Sequence, residues 1–365
     1  MKIKCEKSAL SSCVNMAAKA VPRETTLSIL ESILIEAKDG KVSFTANDSD
    51  FGIYTFMEAE IVEEGKIAID AKKFCEIVNK LQDGEITIVT EGAEARILCG
   101  KAKNKIPCRS GEDYTYLPEI EKNSPIVVSQ FTLKEMIKKT VFATGNLESN
   151  KIMSGLHMVV NNDRMELTGL DGHRIAIRKS PLRDSHDAVD IIIPGKTVSE
   201  ISKIVPGDDE QEVFIYVTNN YIVFEFNNTV ITSRLIEGKY FDVNKMINAD
   251  YEIEIKLNKR ELYTSVDASM VYYKEGNKKP IIFNIEGENL HLELNSQDGK
   301  YDNDLDIEHT GPDLRICFDP KYIVDALKFI DDDEIYMQLM NNVKMPLYIR
   351  DKEDTYTYVV LPINS

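Results

Sequence analysis

SALSSCVNMAAK (Ser8–Lys19) is the stretch that decides the fold, because its pattern returns twice. It comes back as LKEMIKKTVFAT (Leu133–Thr144) and as KRELYTSVDASMVY (Lys259–Tyr272). Each places apolar residues three and four apart, the spacing of an amphipathic helix. Leu10, Met136 and Leu262 are 126 and 126 residues apart. A second helical set follows at Ala71–Leu81, Gly195–Val205 and Pro320–Ile330, and its lysines Lys72, Lys196 and Lys321 are 124 and 125 apart. A period near one third of 365 residues implies three copies of one small domain.

Between the helices lie β-rich runs punctuated by turn residues. In the first copy these are Ile29–Glu36, Lys41–Thr45, Gly52–Ile61, Glu85–Thr90 and Ala95–Cys99, with Asp39-Gly40 as a hairpin signal. The second copy offers Gly155–Val160, Arg164–Thr168, Arg174–Arg178, Val213–Val217 and Tyr221–Asn227. The third offers Pro280–Glu286, Asn289–Asn295, Glu334–Met340, Pro346–Asp351 and Tyr356–Pro362. Hairpin turns imply antiparallel sheets. The expected class is α+β, with repeated domains at 1–120, 126–245 and 250–365 and linkers near Tyr116–Pro125 and Asn244–Tyr251.

Composition narrows the function. With 43% hydrophobic residues the chain reads as globular. No apolar run approaches the ~18 residues of a membrane span, and MKIKCEKSAL has no signal-peptide core. Six cysteines without CxxC spacing fit a reduced cytoplasm. A net charge of -17 argues at first against a nucleic-acid partner. The charge is uneven, however. The six helical segments, taken as 6–22, 70–82, 132–144, 195–205, 258–273 and 320–330, hold 14 Lys+Arg against 8 Asp+Glu, a net +6, which leaves -23 on the rest. Lysine is a good helix former, so this count alone is open to two readings: helices facing phosphate, or ordinary surface helices.

Asp171-Gly172-His173-Arg174 is the sharpest local motif. Asp171 with His173 could serve a hydrolase as an acid–base pair, or could ligate a metal. General base work needs the imidazole oriented by a carboxylate and within reach of substrate. A metal needs further ligands. His157, His186, His291 and His309 form no HxH or HxxxH pair, and no P-loop, GxSxG or GxGxxG follows a strand. The repeat supplies a control. Thr168 and Asp171 match Thr45 and Asp48, each 123 residues away, yet only the middle copy continues Gly-His-Arg. A binding role peculiar to that copy follows. The chain ends Tyr358-Val359-Val360-Leu361-Pro362-Ile363-Asn364-Ser365. Pro362 cannot extend a central strand, so Leu361 and Ile363 leave the sheet, either as packing or as an apolar lip. The acidic runs Asp302–Glu308 and Asp331–Glu334 lack the EF-hand pattern and read as solvated loops. No cofactor or metal is implied.

Asp171-Gly172-His173-Arg174, Leu235-Ile236-Glu237-Gly238-Lys239-Tyr240, Met345-Pro346-Leu347 and the Tyr358–Ile363 ending together resemble the bacterial DNA polymerase III β subunits, the sliding clamps. The likeness spans the whole chain. It implies a head-to-tail homodimer forming a six-domain ring, twelve helices lining the hole and sheets as the outer wall. It implies no enzyme activity. The ring would encircle double-stranded DNA without regard to sequence. It would tether the replicative polymerase and take the clamp loader and repair and ligation proteins through short apolar peptides. Carried over by position, the peptide pocket would comprise Met153, Leu170, Gly172, His173, Arg174, Ile175, Phe241, Lys245, Met246, Tyr322, Val343, Met345, Val360, Leu361, Pro362 and Ile363. Phe241 stands where many members have Pro, Lys245 where many have Arg, and Asn364-Ser365 lacks a cation found in some. The cations expected to face DNA are Arg23, Lys72, Lys134, Lys138, Lys196, Lys259 and Lys321, Arg23 resting on the resemblance. Ile77, Leu81, Ile106, Met270 and Val271 are the expected dimer contacts.

Overall fold

The computed structural model describes residues 1–146, 150–247, 251–274 and 279–363. Two compact units arise: Met1–Phe131 with Lys203–Leu235, and Thr132–Ser202 with Ile236–Ser365. The helices are α1 (Lys7–Ala17), α2 (Ala71–Lys80), α3 (Gln130–Val141), α4 (Gly195–Ile204), α5 (Asn244–Ile247), α6 (Lys259–Ser269) and α7 (Pro320–Leu327). Six of them occupy the repeat positions. The seventh, α5, is a single turn inside the stretch expected to be a linker, of which residues 248–250 lie outside the described set.

Local chemistry explains where several helices begin. The Asp70 carboxylate accepts from Lys73 N at 2.8 Å, Asn258 Oδ1 from Arg260 N at 2.9 Å, and Asp319 from Lys321 N at 3.0 Å. Each satisfies an orphan first-turn donor. Pro320 opens α7, where its missing N–H costs nothing. The repeat register holds at the level of single side chains. Leu10, Met136 and Leu262 are all buried, whereas Lys72, Lys196 and Lys321 are all exposed. Burying one such apolar side chain contributes roughly 2 kcal/mol.

The strands are antiparallel throughout. The first unit carries one 13-stranded sheet, the second a 7-stranded and a 4-stranded sheet. Asp39 and Gly40, at φ +51° and +77°, turn the chain between Ser32–Lys38 and Lys41–Asn47, the two-residue hairpin that Asp-Gly favours. The sheets do not respect the repeat period. Thr229–Arg234 pairs with Phe51–Glu58, joining copy two to copy one. The long strand Arg174–Pro194 pairs with Tyr356–Val360, joining copy two to copy three. The middle copy thus completes sheets on both sides.

Two expectations need correction. Asp302–Glu308 is no loop: Gly299–Asp306 is a strand paired with Asn289–Ser296. Its acids face out while Leu305 faces in, and the exposed Asn303 on the Leu305 face donates to Ser265, so the alternation is masked. Short charged strands such as Lys2–Glu6 were also not anticipated; Ile3 and Cys5 are buried and alternate with half-buried Lys2 and Lys4 and exposed Glu6.

Candidate functional site

The Asp171 turn is built from backbone chemistry. Asp171 Oδ1 accepts from His173 N at 3.0 Å and Arg174 N at 3.1 Å, while Gly172 sits at φ +88°. Asp48 does the same in the first copy, accepting from Asp50 N at 3.2 Å and Phe51 N at 2.7 Å, with Ser49 at φ +79°. The aspartate and the residue after it therefore belong to the fold, as a side-chain-closed turn. His173 and Arg174 are what is particular to the middle copy.

Arg174 is a hub. Its Nε donates to Asp171 Oδ2 at 2.8 Å, one Nη to Asp325 Oδ2 of α7 at 2.8 Å, and the other to the Phe142 carbonyl just past α3 at 2.8 Å. The guanidinium also lies over the rings of Tyr322 (4.6 Å) and Phe142 (5.4 Å). All of its polar capacity is directed at protein, in the planar, bidentate manner suited to arginine. Both Asp171 oxygens are thereby engaged, so the carboxylate does not orient the His173 imidazole. The imidazole instead stacks on Tyr322, with ring centroids 6.2 Å apart and planes at 21°. An Asp171–His173 catalytic pair is not formed. Among the described residues no group of three or more His, Cys, Asp or Glu could hold a metal ion.

Beside this hub lies an apolar floor. Leu170, Ile175, Ile177, Ile192, Ile236, Tyr240, Val243, Ile247, Tyr348 and Val359 form one buried cluster, with Ile152 and Met153 packed against it. Gly145 N bonds the carbonyls of both Met153 (2.7 Å) and Leu170 (3.2 Å), which sets Met153 beside the turn. Above the floor stand apolar groups left in solvent: Phe241, Met246, Val343 and Leu361 are exposed. They account for four of the twelve large exposed hydrophobics of the described chain. Phe241 rests edge-on against Tyr240 at 5.9 Å. The ending behaves as its proline requires. The strand stops at Val360, Leu361 N donates to the His173 carbonyl at 2.8 Å, and Ile363 N to Cys317 O at 2.9 Å. Tyr322, Met345, Pro362 and Ile363 are half-buried. Burial and the nearby Asp171 push the Tyr322 hydroxyl above its ordinary value, keeping it neutral. An apolar cleft with a few fixed polar groups suits a short peptide.

Other expected site residues fall elsewhere. Val360 is fully buried and belongs to the C-terminal core, because it points away from the face that Val359 shares with the floor. The side chain of Lys245 and the Asn364-Ser365 ending lie outside the described residues. Of the cations, Arg23, Lys72, Lys138, Lys196 and Lys321 are exposed and Lys134 is half-buried. Lys138 pairs with Glu135 at 3.1 Å. Lys259 is half-buried, its ammonium donating to the Ile330 carbonyl at 2.9 Å, and its neighbour Arg260 is exposed. Of the expected dimer contacts, Leu81 and Ile106 are buried in the first unit, and Ile77 and Met270 are half-buried. Val271 is 79% exposed, more than any other large hydrophobic. Sequence reading did not place the floor residues Ile177, Ile192, Ile236, Tyr240, Val243, Ile247, Tyr348 and Val359 in the site. Strand alternation with Ile175 could have found Ile177.

Exposed apolar side chains beside a buried apolar cluster, and exposed lysines on an acidic chain, have the character of surfaces that bind other macromolecules. Family models agree. Residues 1–118 match the N-terminal domain of the DNA polymerase III beta subunit, 127–242 the central domain and 244–364 the C-terminal domain. The beta sliding clamp of Bacillus subtilis is 32% identical, with all of both chains covered. A solved DNA polymerase sliding clamp from Bacillus subtilis superposes with a TM-score of 0.96 at 31% identity, covering 100% of this chain and 99% of that one. A solved chain from Eubacterium rectale, assigned as a DNA polymerase III beta subunit, gives a TM-score of 0.97 at 44% identity with both chains fully covered. The chain belongs to the DNA polymerase III beta subunit family, the DNA sliding clamps, and functions as a clamp rather than a hydrolase.

Proposed function

We propose that two copies of this chain close head to tail into a ring around duplex DNA and tether the replicative polymerase to it. Each copy brings the three repeated domains at 1–120, 126–245 and 250–365. The observation that carries this is the recurrence of an exposed lysine, Lys72, Lys196 and Lys321, at one place in three repeats of a chain whose net charge is -17. Arg23, Lys134, Lys138 and Lys259 complete the inner set, with the exposed Arg260 next to Lys259. Long flexible cations make sequence-blind, salt-sensitive phosphate contacts. An acidic exterior repels phosphate and keeps the duplex in the hole. Topology rather than affinity holds the DNA, so the contacts can stay weak enough to slide.

The test is to load the protein on a nicked circular plasmid with a clamp loader and ATP, then cut the circle. Release on linearisation is expected; retention on DNA with free ends would sink encirclement.

Val271 is the proposed centre of the dimer contact, with Met270 and Ile77 beside it. Its counterpart is a cavity of about 130 Å³ in the first unit, lined by Ser28, Glu31, Ser32, Ala68, Asp70, Lys73, Ile106, Pro107 and Arg109. Val271→Glu should reduce the solution mass from twice 41.4 kDa to 41.4 kDa. The groove of the second unit is the proposed client site. Polymerase, clamp loader, and repair and ligation proteins would compete for it through short apolar peptides, with a few anchors supplying most of the affinity. Deleting residues 361–365 should abolish peptide binding and leave the dimer intact.

A further inference from the structure

The outer wall of the groove is the segment Tyr240–Ile247, which ends in the single helical turn α5. A four-residue helix does not hold itself. Its internal bonds are few: Val243 N to Phe241 O at 2.9 Å, then Met246 N and Ile247 N to Val243 O at 2.9 and 3.1 Å. The last carbonyls of a helix look outside it for partners, and two side chains of the strand Leu347–Arg350 serve two of them here. The Tyr348 hydroxyl donates to Met246 O at 2.6 Å, and Arg350 Nη2 donates to Ile247 O at 3.0 Å. Tyr348 is buried in the floor cluster, and burial pushes its hydroxyl up, so it remains a neutral donor. Val243 and Ile247 reach the same floor. Met246 is thus held by its carbonyl while its side chain stands in solvent at the rim.

From this geometry we infer that Tyr348 and Arg350 are positioning residues for the groove: they fix the height and angle of Met246 and Phe241 without touching the client. Removing a pin leaves the floor in place but lets the wall move, so a bound peptide escapes faster. The inference rests on the groove being the client site.

The experiment uses the full-length dimer and a fluorescein-labelled pentapeptide with leucine and phenylalanine as its apolar anchors. Tyr348→Phe removes one O–H and keeps the ring. It should weaken the peptide roughly 3- to 10-fold, the worth of one hydrogen bond, through a faster off-rate with the on-rate unchanged. Amide exchange over Phe241–Ile247 should quicken while the solution mass stays that of the dimer. Arg350→Ala should act alike, and Arg350→Lys, which can still donate to the Ile247 carbonyl, should recover most of the loss. Met246→Ala is the control for the site. If Met246→Ala weakens the peptide and Tyr348→Phe does not change its off-rate, the pinning inference is overturned and the groove stands. If neither changes it, the groove reading falls first.

Discussion

The turn at Asp48 and the turn at Asp171 are one structure with two fates. Both aspartates close the same backbone bonds, and both following residues take positive φ. After the first comes Asp50-Phe51, after the second His173-Arg174. Phe51 is buried and serves the core, and the Asp50 carboxylate lies 4.0 Å from the Arg234 guanidinium. Arg174 instead ties the strand to α3 and α7, and His173 stays exposed on Tyr322. A repeat can therefore acquire a binding site by changing the two residues that leave a turn, while the turn itself is kept.

The sharpest way to break the comparison is at its last position. Phe51→Ala and Arg174→Ala should each cost about 3 kcal/mol or more, the first by leaving a cavity, the second by stranding Asp171 and Asp325 beside an unpaired Phe142 carbonyl. Denaturant melts check the size. The partition is the real test: Arg174→Ala should abolish peptide binding as well, because Tyr322 and α7 lose their tie to the turn. Phe51→Ala should leave binding within twofold. Equal binding by both variants would refute a special role for the middle copy.

One position earlier, the expected effect is smaller and purely functional. His173→Ala should weaken a client peptide by roughly 1 kcal/mol, the scale of one aromatic contact, with no change in melting. Asp50→Ala should change neither peptide binding nor, beyond about 0.5 kcal/mol, stability. Fluorescence anisotropy with labelled peptide checks the first and thermal melts the second. A drop in stability from His173→Ala would mean that the ring packs rather than binds.

How much of this was legible depended on the kind of physics involved. The helices were readable because their apolar spacing is local: Leu10, Met136 and Leu262 declare the same buried position in three places. The Asp39-Gly40 hairpin was readable for a similar reason, since only certain residues tolerate two successive positive φ values. The sheets crossing from one repeat to the next were not. Pairings such as Val230 with Tyr54, or Ala176 with Tyr358, join residues 176 and 182 apart in the chain, and nothing in a strand's own composition names its partner. The groove divides likewise. Its rim came from resemblance and from the odd Leu361-Pro362 ending. Its floor needed the alternation that sends Val359 to one face and Val360 to the other. The pins on α5 were invisible, because Tyr348 and Arg350 act about a hundred residues from the carbonyls they hold. The bond that Lys259 makes was invisible for the same reason: Ile330 lies 71 residues away.

The smallest effect sharpens the comparison most, because it tests the part the two turns share. Gly172 takes φ +88° and Ser49 takes φ +79°, so a serine is already carried at this geometry in the first copy. A Cβ at Gly172 would meet nothing nearer than Met153 Sδ at 3.9 Å, an ordinary contact. Gly172→Ser should therefore cost only the left-handed backbone, about 1 kcal/mol or less, and Ser49→Gly should recover a similar amount. Opposite shifts of similar size in paired denaturant melts are the expected result. Peptide affinity of Gly172→Ser should fall less than twofold, since the turn is kept and His173 and Arg174 leave it unchanged. A large loss of affinity without loss of stability would show instead that client backbone approaches Gly172 closely. The glycine would then belong to the site and not to the fold.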